Sequence, residues 1–254
     1  MTSLQGQRAL ITGAQRGLGW AIAETYAKAG AKVMIQDLDG KGADEAAAKL
    51  RRANLDAQSI GGSVTSVTDI EAMFRKMDEL WGGIDILVNN AGISQNKPTL
   101  EVSADDWDRI MNVNLRGVFL CALEAGKRMV PQKSGLIVNL SSVWGIVAGP
   151  ARLGYCVSKA GVSQMTKALA VEWAADGVRV NAIAPGYTES PMLRSVFNSG
   201  RVSEAAILRR TPMGRLAEPQ EMADMALFLA SPQAKYITGQ IMAVDGGWTA
   251  YGYT

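Results

Sequence analysis

The 254-residue chain carries 26 basic and 24 acidic residues, so its formal net charge is only +2, and it contains no histidine. The small net charge, with both signs interspersed, excludes the basic surface typical of proteins that bind nucleic acid or anionic membranes. The absence of histidine excludes a Ser-His-Asp triad and every metal site built on histidine.

Cys121 and Cys156 are the only cysteines. They do not form a C-x-x-C pair, which excludes a thiolate zinc site and indicates two small buried side chains in a reducing compartment. We therefore expect no metal, and proton transfer must use Tyr, Lys, Ser, Asp or Glu. No apolar run approaches the roughly 18 residues that span a bilayer. The first residues show no apolar signal region, so a cytoplasmic location is expected.

Short β-branched runs alternate with longer helical patterns along the chain. Strands are predicted at 8–12, 31–37, 56–64, 85–89, 135–141, 178–183 and 240–244. Helices are predicted at 17–29, 41–53, 69–81, 104–131, 153–175 and 218–230. Such alternation implies parallel strands joined by right-handed crossovers. We expect an α/β fold, a single-domain Rossmann-type doubly wound sheet of about seven parallel strands with helices on both faces.

One segment, residues 186–217, interrupts the alternation with Pro, Gly and Ser. A long irregular insertion after the C-terminal end of a strand is a usual position for a ligand lid in an α/β enzyme. No linker or shift in composition divides the chain. We therefore predict one domain over residues 1–254, with a substrate lid at about 186–217.

The first predicted strand leads directly into TGAQRGLG (12–19), which opens the first predicted helix. Glycines permit a tight turn, and the helix start offers free N–H groups and its positive dipole end to a phosphate. The glycine spacing is G-x-x-x-G-x-G, and packing alone is the alternative role for such a turn. Its place between strand and helix favours a nucleotide, bound by Gly13, Arg16, Gly17, Leu18 and Gly19.

Asp37 ends the second predicted strand. A carboxylate there accepts both ribose hydroxyls of an adenosine and repels a 2′-phosphate, which favours NAD over NADP. A turn or helix-capping aspartate is the alternative, and Arg16 could instead pair with a 2′-phosphate. Because Asp37 would act directly on the 2′-hydroxyl that distinguishes NAD from NADP, we predict NAD. The neighbouring Leu38 is predicted at the same site.

Tyr155 and Lys159 stand one helical turn apart, and Ser142 ends the preceding strand. An alcohol that loses hydride must also lose a proton, and a free tyrosine with a pKa of about 10 is a poor base at neutral pH. The Lys159 cation, on the same helix face as Tyr155, favours the phenolate. Ser142 can hydrogen-bond the reacting oxygen and hold it against Tyr155. Together these residues predict hydride transfer at an alcohol or carbonyl.

Over essentially its whole length the chain resembles the short-chain dehydrogenase/reductase family. The resemblance rests on TGAQRGLG (12–19), NNAG (89–92), MNVNLRG (111–117), NLSS (139–142), YCVSK (155–159) and APG (184–186). It implies an NAD(P)-dependent oxidoreductase acting on CH–OH donors. It also implies a homotetramer, in which helices 104–131 and 153–175 pack between chains.

The resemblance also implies individual roles. Asn114 completes a tetrad with the three residues above, and its backbone binds a water that relays protons from Lys159. Lys159 also binds the nicotinamide ribose, and Asn89 braces neighbouring strands. Where the family usually carries an Asp before Val64 that binds adenine, this chain has Ser63, so adenine contact is expected to be weaker or carried by the Val64 backbone. The other implied cofactor contacts are Asn90, Ala91, Gly92, Pro185, Gly186 and Thr188.

The substrate pocket is expected to include the 148–153 loop, and its predicted residues are Ser94, Gln95, Asn96, Ser142, Trp144, Arg152, Tyr155, Tyr187 and Met192. Gln95, Asn96 and Arg152 suit a hydroxylated substrate, while ordinary solvated loop residues are the alternative. The C-terminal pattern TPMGRLAEP…AVDGGWTAYGYT resembles family members acting on polyols and sugars. We predict an NAD-dependent polyol or sugar-alcohol dehydrogenase. The alternatives are an NADPH-dependent 3-oxoacyl-(acyl-carrier-protein) reductase-like ketoreductase and an inactive nucleotide-binding regulator.

The C-terminal tail carries Trp248, Tyr251 and Tyr253. Three large rings so close together indicate burial, and we predict that they pack against another subunit.

Overall fold

A computed structural model describes residues 3–198, 200 and 202–252. It contains one sheet of seven parallel strands in the order β3-β2-β1-β4-β5-β6-β7. The strands are β1 (Arg8–Thr12), β2 (Lys32–Asp37), β3 (Ala57–Gly61), β4 (Ile86–Asn89), β5 (Gly135–Leu140), β6 (Val178–Pro185) and β7 (Ile241–Val244). The predicted parallel doubly wound sheet is confirmed.

Helices cover both faces of the sheet, as predicted. They are α1 (Gly17–Lys28), α2 (Gly40–Arg52), α3 (Val67–Trp81), α4 (Ala104–Met111), α5 (Gly117–Gln132), α6 (Leu153–Trp173), α7 (Pro191–Asn198), α8 (Glu204–Arg210) and α9 (Pro219–Ala230). Short 3₁₀ turns lie at Thr99–Glu101, Val143–Gly145, Ala174–Asp176 and Pro232–Ala234. None of the helices in this described part of the chain has the length and apolarity to cross a bilayer.

Alternating side chains of the strands supply two apolar cores. Ile11 of β1 packs with α1, α2 and α9 on one face, whereas Leu10 packs with α3 and α5 on the other. This period-two division is what a sheet covered on both faces requires. Cys121 is buried in the second core, where burial raises the pKa of its thiol to about 12, while Cys156 is only half-buried.

Two segments show more detail than the predicted elements. Residues 104–131, predicted as one or two helices, form α4 and α5, which are separated by a π-helical turn, Asn112–Arg116. The insertion 186–217, predicted to be irregular, contains α7 and α8. Both helices are short, so their sequence periodicity is weak. Thr188 pairs with Ala217 in an isolated parallel bridge, which joins the two ends of this segment.

The predicted burial of the aromatic tail is confirmed for Trp248, but the burial is within its own chain. Its ring is 2% exposed and packs within its own chain, 5.0 Å from the Trp144 ring centroid. Tyr251 is partly exposed, and Tyr253 lies outside the described residues. Trp248 needs no second subunit for its burial.

Candidate active site

A cleft of about 890 Å³ opens at the carboxyl ends of the central strands. β1 pairs with both β2 and β4, so the chain reverses its direction of winding beside β1. Crevices at such a switch point are where open parallel sheets bind ligands. The cleft runs from Asp37 at one end to Tyr155 and helix α7 at the other.

The glycine turn forms one wall of this cleft by close packing against the segment after β4. Gly13 has a φ of +62°, and a Cβ there would lie 2.8 Å from the Ala91 Cα. The Asn90 side-chain amide donates to the backbone oxygens of Thr12, at 3.0 Å, and Gly13, at 2.8 Å. A Cβ on Gly19 would lie 2.5 Å from that amide nitrogen. Both positions therefore require glycine, and Asn90 fixes the turn.

Helix α1 begins at the floor of the cleft without a capping side chain from any described residue. Arg16 occupies the cap position with an extended backbone, φ −157° and ψ 174°. The first N–H groups of a helix have no partner within the helix, and the helix dipole is positive at that end. With the glycines excluding side-chain atoms, this arrangement suits a phosphate group.

Asp37 lies at the opposite side of the turn and is held by it. Its carboxylate accepts from the Gln15 backbone N–H at 3.2 Å and from the Gln15 side-chain amide at 3.3 Å. Leu38, 76% exposed, follows it at the rim, and Arg16 also lines the cleft. A carboxylate with two oxygens has acceptor capacity beyond these two bonds.

Ser63 is occupied within its own loop. Its backbone N–H donates to the Asp69 carboxylate at 2.8 Å, and its hydroxyl lies 2.8 Å from the Thr65 hydroxyl. Val64 follows it on the cleft wall. The Val64 backbone therefore remains available to contact the adenine base of a nucleotide.

The Lys159 ammonium is 5% exposed and donates to the Leu140 backbone oxygen at 2.6 Å. Its Nζ lies 5.9 Å from the centroid of the Tyr155 ring, on the same face of α6. Burial lowers the pKa of Lys159 to about 8. A cation is therefore held beside the phenol at neutral pH, at a cost in desolvation.

Tyr155 projects into the cleft near the end of β5. Burial raises the pKa of its phenol, and a hydrogen bond from the Ser142 hydroxyl and the positive charge of Arg152 oppose that rise. Ser142 also accepts from the Trp144 backbone N–H at 3.1 Å. Burial outweighs these effects, so the pKa of Tyr155 lies above its ordinary value and the phenol is neutral at neutral pH.

Contacts between the end of β5 and α6 set the spacing of Ser142 and Tyr155. The Ser141 hydroxyl donates to the Lys159 backbone oxygen at 3.1 Å and lies 2.7 Å from the Ser163 hydroxyl. A Cβ on Gly145 would lie 2.7 Å from the same backbone oxygen. Helix and strand are therefore in direct contact here, without an intervening side chain at Gly145.

Asn114 is fully buried in the π-helical turn. Its side-chain oxygen accepts from the Ile93 N–H at 2.8 Å, and its amide donates to the Ile93 oxygen at 2.9 Å. The amide also reaches the Ser158 hydroxyl at 3.3 Å. The side chain is thus committed to the loop after β4, which leaves the backbone as the part that can take another partner.

Three aromatic rings stand together beside the phenol. Trp144 and Tyr187 meet edge to face with centroids 6.4 Å apart, and Trp248 packs against both. Arg152 lies over the Trp144 ring, its guanidinium carbon 4.9 Å from the centroid. Trp144 and Tyr187 line the cleft and give it a rigid wall near Tyr155.

Comparison with known proteins identifies the family. A family model described as enoyl-(acyl carrier protein) reductase matches residues 13–249. A 3-oxoacyl-(acyl-carrier-protein) reductase of Thermotoga maritima is 40% identical over 247 residues, which cover 96% of this chain and 98% of that protein. Galactitol 2-dehydrogenase of Rhizobium johnstonii is 40% identical over 251 residues, covering 98% and 97%. The solved structure of a gluconate 5-dehydrogenase from Burkholderia cenocepacia, in complex with NADP and tartrate, superposes with a TM-score of 0.92, at 36% identity and with 98% and 97% coverage.

The chain belongs to the short-chain dehydrogenase/reductase family. It is accordingly an oxidoreductase acting on CH–OH groups.

Most residues predicted for the site of this short-chain dehydrogenase/reductase line the one cleft. On the nucleotide side these are Gly13, Arg16, Gly17, Leu18, Asp37, Leu38, Ser63, Val64, Asn90, Ala91, Gly92, Pro185, Gly186 and Thr188. Around the phenol they are Ser94, Ser142, Trp144, Arg152, Tyr155, Lys159, Tyr187 and Met192.

Four predicted residues stand outside the cleft lining, namely Gly19, Gln95, Asn96 and Asn114. Gln95 has a structural task, because its side-chain oxygen accepts from the Gly154 N–H at 3.1 Å and so caps the start of α6. Asn89, predicted to brace strands, donates to the Asn139 side-chain oxygen at 2.9 Å, across the β4–β5 pair.

Sequence reasoning missed several residues at the site of this dehydrogenase. Gln36 donates to the Gly62 oxygen at 2.7 Å and so joins the ends of β2 and β3 beneath the cleft. Arg109 of α4 lines the cleft near Ser94. Neither residue stands in a motif, so only the folded arrangement identifies them.

Proposed function

We propose that this protein is an NAD-dependent dehydrogenase that transfers hydride between nicotinamide and a secondary alcohol or ketone, with a polyol, sugar alcohol or sugar as substrate. The supporting observation is that Ser142, Tyr155 and Lys159 line one cleft together with the uncapped start of α1, and that the Lys159 Nζ lies 5.9 Å from the Tyr155 ring centroid. One end suits a nucleotide phosphate, and the other suits proton transfer.

The residues of the cleft fit a dinucleotide. Side-chain atoms are excluded at Gly13, and free N–H groups of α1 face the space that remains. Asp37 would hold the adenosine ribose, Lys159 the nicotinamide ribose, and Thr188 the carboxamide. A nicotinamide held there would supply the hydride chemistry, as the hydride acceptor in alcohol oxidation and the hydride donor in ketone reduction.

Tyr155 moves the accompanying proton. In oxidation its phenolate oxygen takes the proton from the alcohol hydroxyl as the C–H hydrogen leaves as hydride, and in reduction the phenol returns a proton to the carbonyl oxygen. Ser142 donates a hydrogen bond to the reacting oxygen and neither gains nor loses a proton in the reaction. Lys159 stabilises the phenolate by its charge, and the Asn114 backbone is proposed to bind the water through which Lys159 exchanges protons with solvent.

Asp37 supports NAD over NADP, because its carboxylate would repel a 2′-phosphate. Arg16 is the opposing feature, and the Burkholderia cenocepacia relative was solved with NADP. The Gln15 contacts keep Asp37 directed toward the glycine turn. NAD is therefore the proposed cofactor.

Segment 186–217, with α7 and α8, is proposed as the lid over the substrate in a single domain. Met192 on α7 lines the cleft opposite Trp144, and the Thr188–Ala217 bridge joins the ends of the segment. The relatives act on galactitol and gluconate in two cases and on an acyl-carrier substrate in another, by their names. NADPH-dependent ketoreduction of a 3-oxoacyl thioester is therefore the second candidate.

A panel assay tests the proposal. We expect wild-type protein to oxidise at least one polyol or sugar alcohol with NAD faster than with NADP, and not to reduce acetoacetyl thioesters. Steady-state absorbance of the reduced nicotinamide measures both directions. Turnover of the thioester alone, and only with NADPH, would establish the second candidate instead, and no turnover with tight nucleotide binding would favour a regulator.

Asp37→Ser tests the proposed preference for NAD over NADP. Removing the carboxylate is expected to shift the ratio of kcat/KM for NAD over NADP by roughly 10- to 100-fold toward NADP, the range of one charged contact. An unchanged ratio would mean that Asp37 does not select the nucleotide.

Homotetramer assembly is also part of the proposal. An apolar groove lies between α5 and α6, and Phe119 on its rim is 45% exposed. Leu123 and Val157 extend this exposed apolar surface on the same two helices. A second copy is the proposed occupant, and light scattering that gave a monomer at micromolar concentration would refute it. A reducing, cytoplasmic location fits the free thiols of Cys121 and Cys156.

A further inference from the structure

Arg152 is held rigidly at the substrate end of the cleft. It stands at the start of α6 and lies over the Trp144 ring at 4.9 Å. That ring is itself fixed, since a Cβ on Gly149 would lie 2.4 Å from it and Trp248 packs at 5.0 Å on its edge. This contact with the indole holds the guanidinium beside the cleft, where its N–H groups are donors for a ligand.

The backbone before Arg152 carries strain that supports this placement. Ala151 has a φ of +58°, in the left-handed region that alanine seldom adopts. The Lys97 N–H donates to the Ala151 oxygen at 2.8 Å and holds the turn. Such conformations persist where the surrounding structure fixes them, and they concentrate at functional sites.

The charges around this end are all positive. Arg152 has no carboxylate within ion-pair distance among the described residues. Lys159 lies beside Tyr155 at this end, and Arg109 also lines the cleft. Within the described lining of the cleft, Asp37 is the sole carboxylate, and it lies at the adenosine end. A cation that lines a cavity without an acidic partner favours an anionic ligand, and Arg152 is such a cation at this end.

We propose that the substrate alcohol carries a carboxylate, and that Arg152 binds this carboxylate while Tyr155 and Ser142 hold the reacting hydroxyl. The substrate class is a hydroxy acid, such as an aldonic acid, in preference to a neutral polyol. This inference rests on the proposed dehydrogenase activity and narrows its substrate. Paired N–H donors of one guanidinium match the two oxygens of a carboxylate, and the flanking indole excludes water from one face of the pair.

Matched pairs of alditols and aldonates test the proposal, because each pair shares its carbon skeleton and differs only at one terminus. Glucitol with gluconate and galactitol with galactonate are suitable pairs, assayed with NAD and with NADP. We expect wild-type kcat/KM to favour the aldonate. In Arg152→Gln this preference is expected to fall by roughly 10- to 100-fold, chiefly through KM, and Arg152→Lys is expected to recover part of it.

Arg210→Gln is the matched control. Its guanidinium stacks on Trp248 at 4.0 Å but does not line the cleft, so the aldonate preference is expected to persist. Wild-type protein that prefers the alditols, or an Arg152→Gln preference equal to wild type, would overturn the carboxylate proposal while leaving the dehydrogenase function intact. Loss of preference in both arginine variants would assign the effect to the aromatic wall. If no alcohol of either class is oxidised, the proposed function itself fails.

Discussion

Tyr155→Phe is expected to lower kcat for alcohol oxidation by about a thousandfold, within the range assigned to a positioned acid–base group. Phenylalanine keeps the ring and removes only the oxygen that Ser142 contacts. The proton of the alcohol then has no acceptor, whereas the glycine turn and Asp37 are untouched. Stopped-flow or steady-state absorbance at saturating nucleotide measures kcat, and fluorescence titration measures the dissociation constant for NAD.

Tyr187→Phe serves as the matched control for that loss. Tyr187 lines the same cleft and packs against Trp144 at 6.4 Å, and the substitution likewise removes one hydroxyl. We expect a much smaller change in kcat from it. Tyr155→Phe protein that oxidises an accepted alcohol at the wild-type rate would remove Tyr155 from the chemistry, and a matching loss of NAD affinity would assign it to binding.

Lys159→Met is expected to reduce activity and to change how stability depends on pH. Without the cation the phenolate loses a favourable charge that lies 5.9 Å from its ring centroid, so kcat should fall by about 10²- to 10³-fold. Burial lowers the pKa of Lys159 to about 8 in the folded protein, against an ordinary value of 10.5. The unfolded chain therefore binds more protons than the folded one between those values.

The sign of the stability effect follows from that difference in bound protons. Below about pH 8 the folded protein bears the full cost of a buried charge, and this cost is relieved as the pH rises toward 10.5. Relative to Lys159→Met, the free energy of unfolding of wild type should therefore rise over this interval by up to about 3 kcal/mol. The variant also loses the hydrogen bond to the Leu140 oxygen. This loss offsets the two curves of unfolding free energy against pH by a constant and does not change the difference between their slopes.

Urea unfolding of both proteins near neutral pH and near pH 10 measures this difference. Lys167→Met is the control, because Lys167 is exposed on the same helix α6. Its curve should run parallel to that of wild type. A Lys159→Met curve that also runs parallel would mean that Lys159 titrates at the same pH in the folded and unfolded chains.

The strand and helix pattern predicted the sheet correctly because parallel strands buried on both faces need apolar runs that local sequence displays. The glycine turn could also be predicted from the sequence, because a φ of +62° at Gly13 and the close contact with Ala91 both require glycine at this position. Its place between a strand and a helix needs no tertiary information. Local chemistry of this kind survives in a single sequence.

Other features depend on contacts between distant segments, and no local pattern displays them. The π-helical turn places Asn114 against Ile93, and Gln95 caps a helix that begins many residues later. Trp248 is buried against Trp144 of its own chain. The sequence alone does not distinguish this from burial against another subunit, because aromatic rings near a chain end have the same pattern in both cases. Arg109 carries no signal except its position in the fold.

Because β5 and α6 are in direct contact, the chemistry of this protein and its substrate preference can change independently in evolution. The bonds of Ser141 with Lys159 and Ser163 fix the distance between the proton-transfer groups through the scaffold itself. Many of the residues proposed to face the substrate lie instead on the 148–153 loop and on 186–217. Substitutions or length changes in those loops can therefore alter which alcohol is accepted without shifting Tyr155 from Ser142. One scaffold can in this way acquire new substrates while its chemistry stays constant.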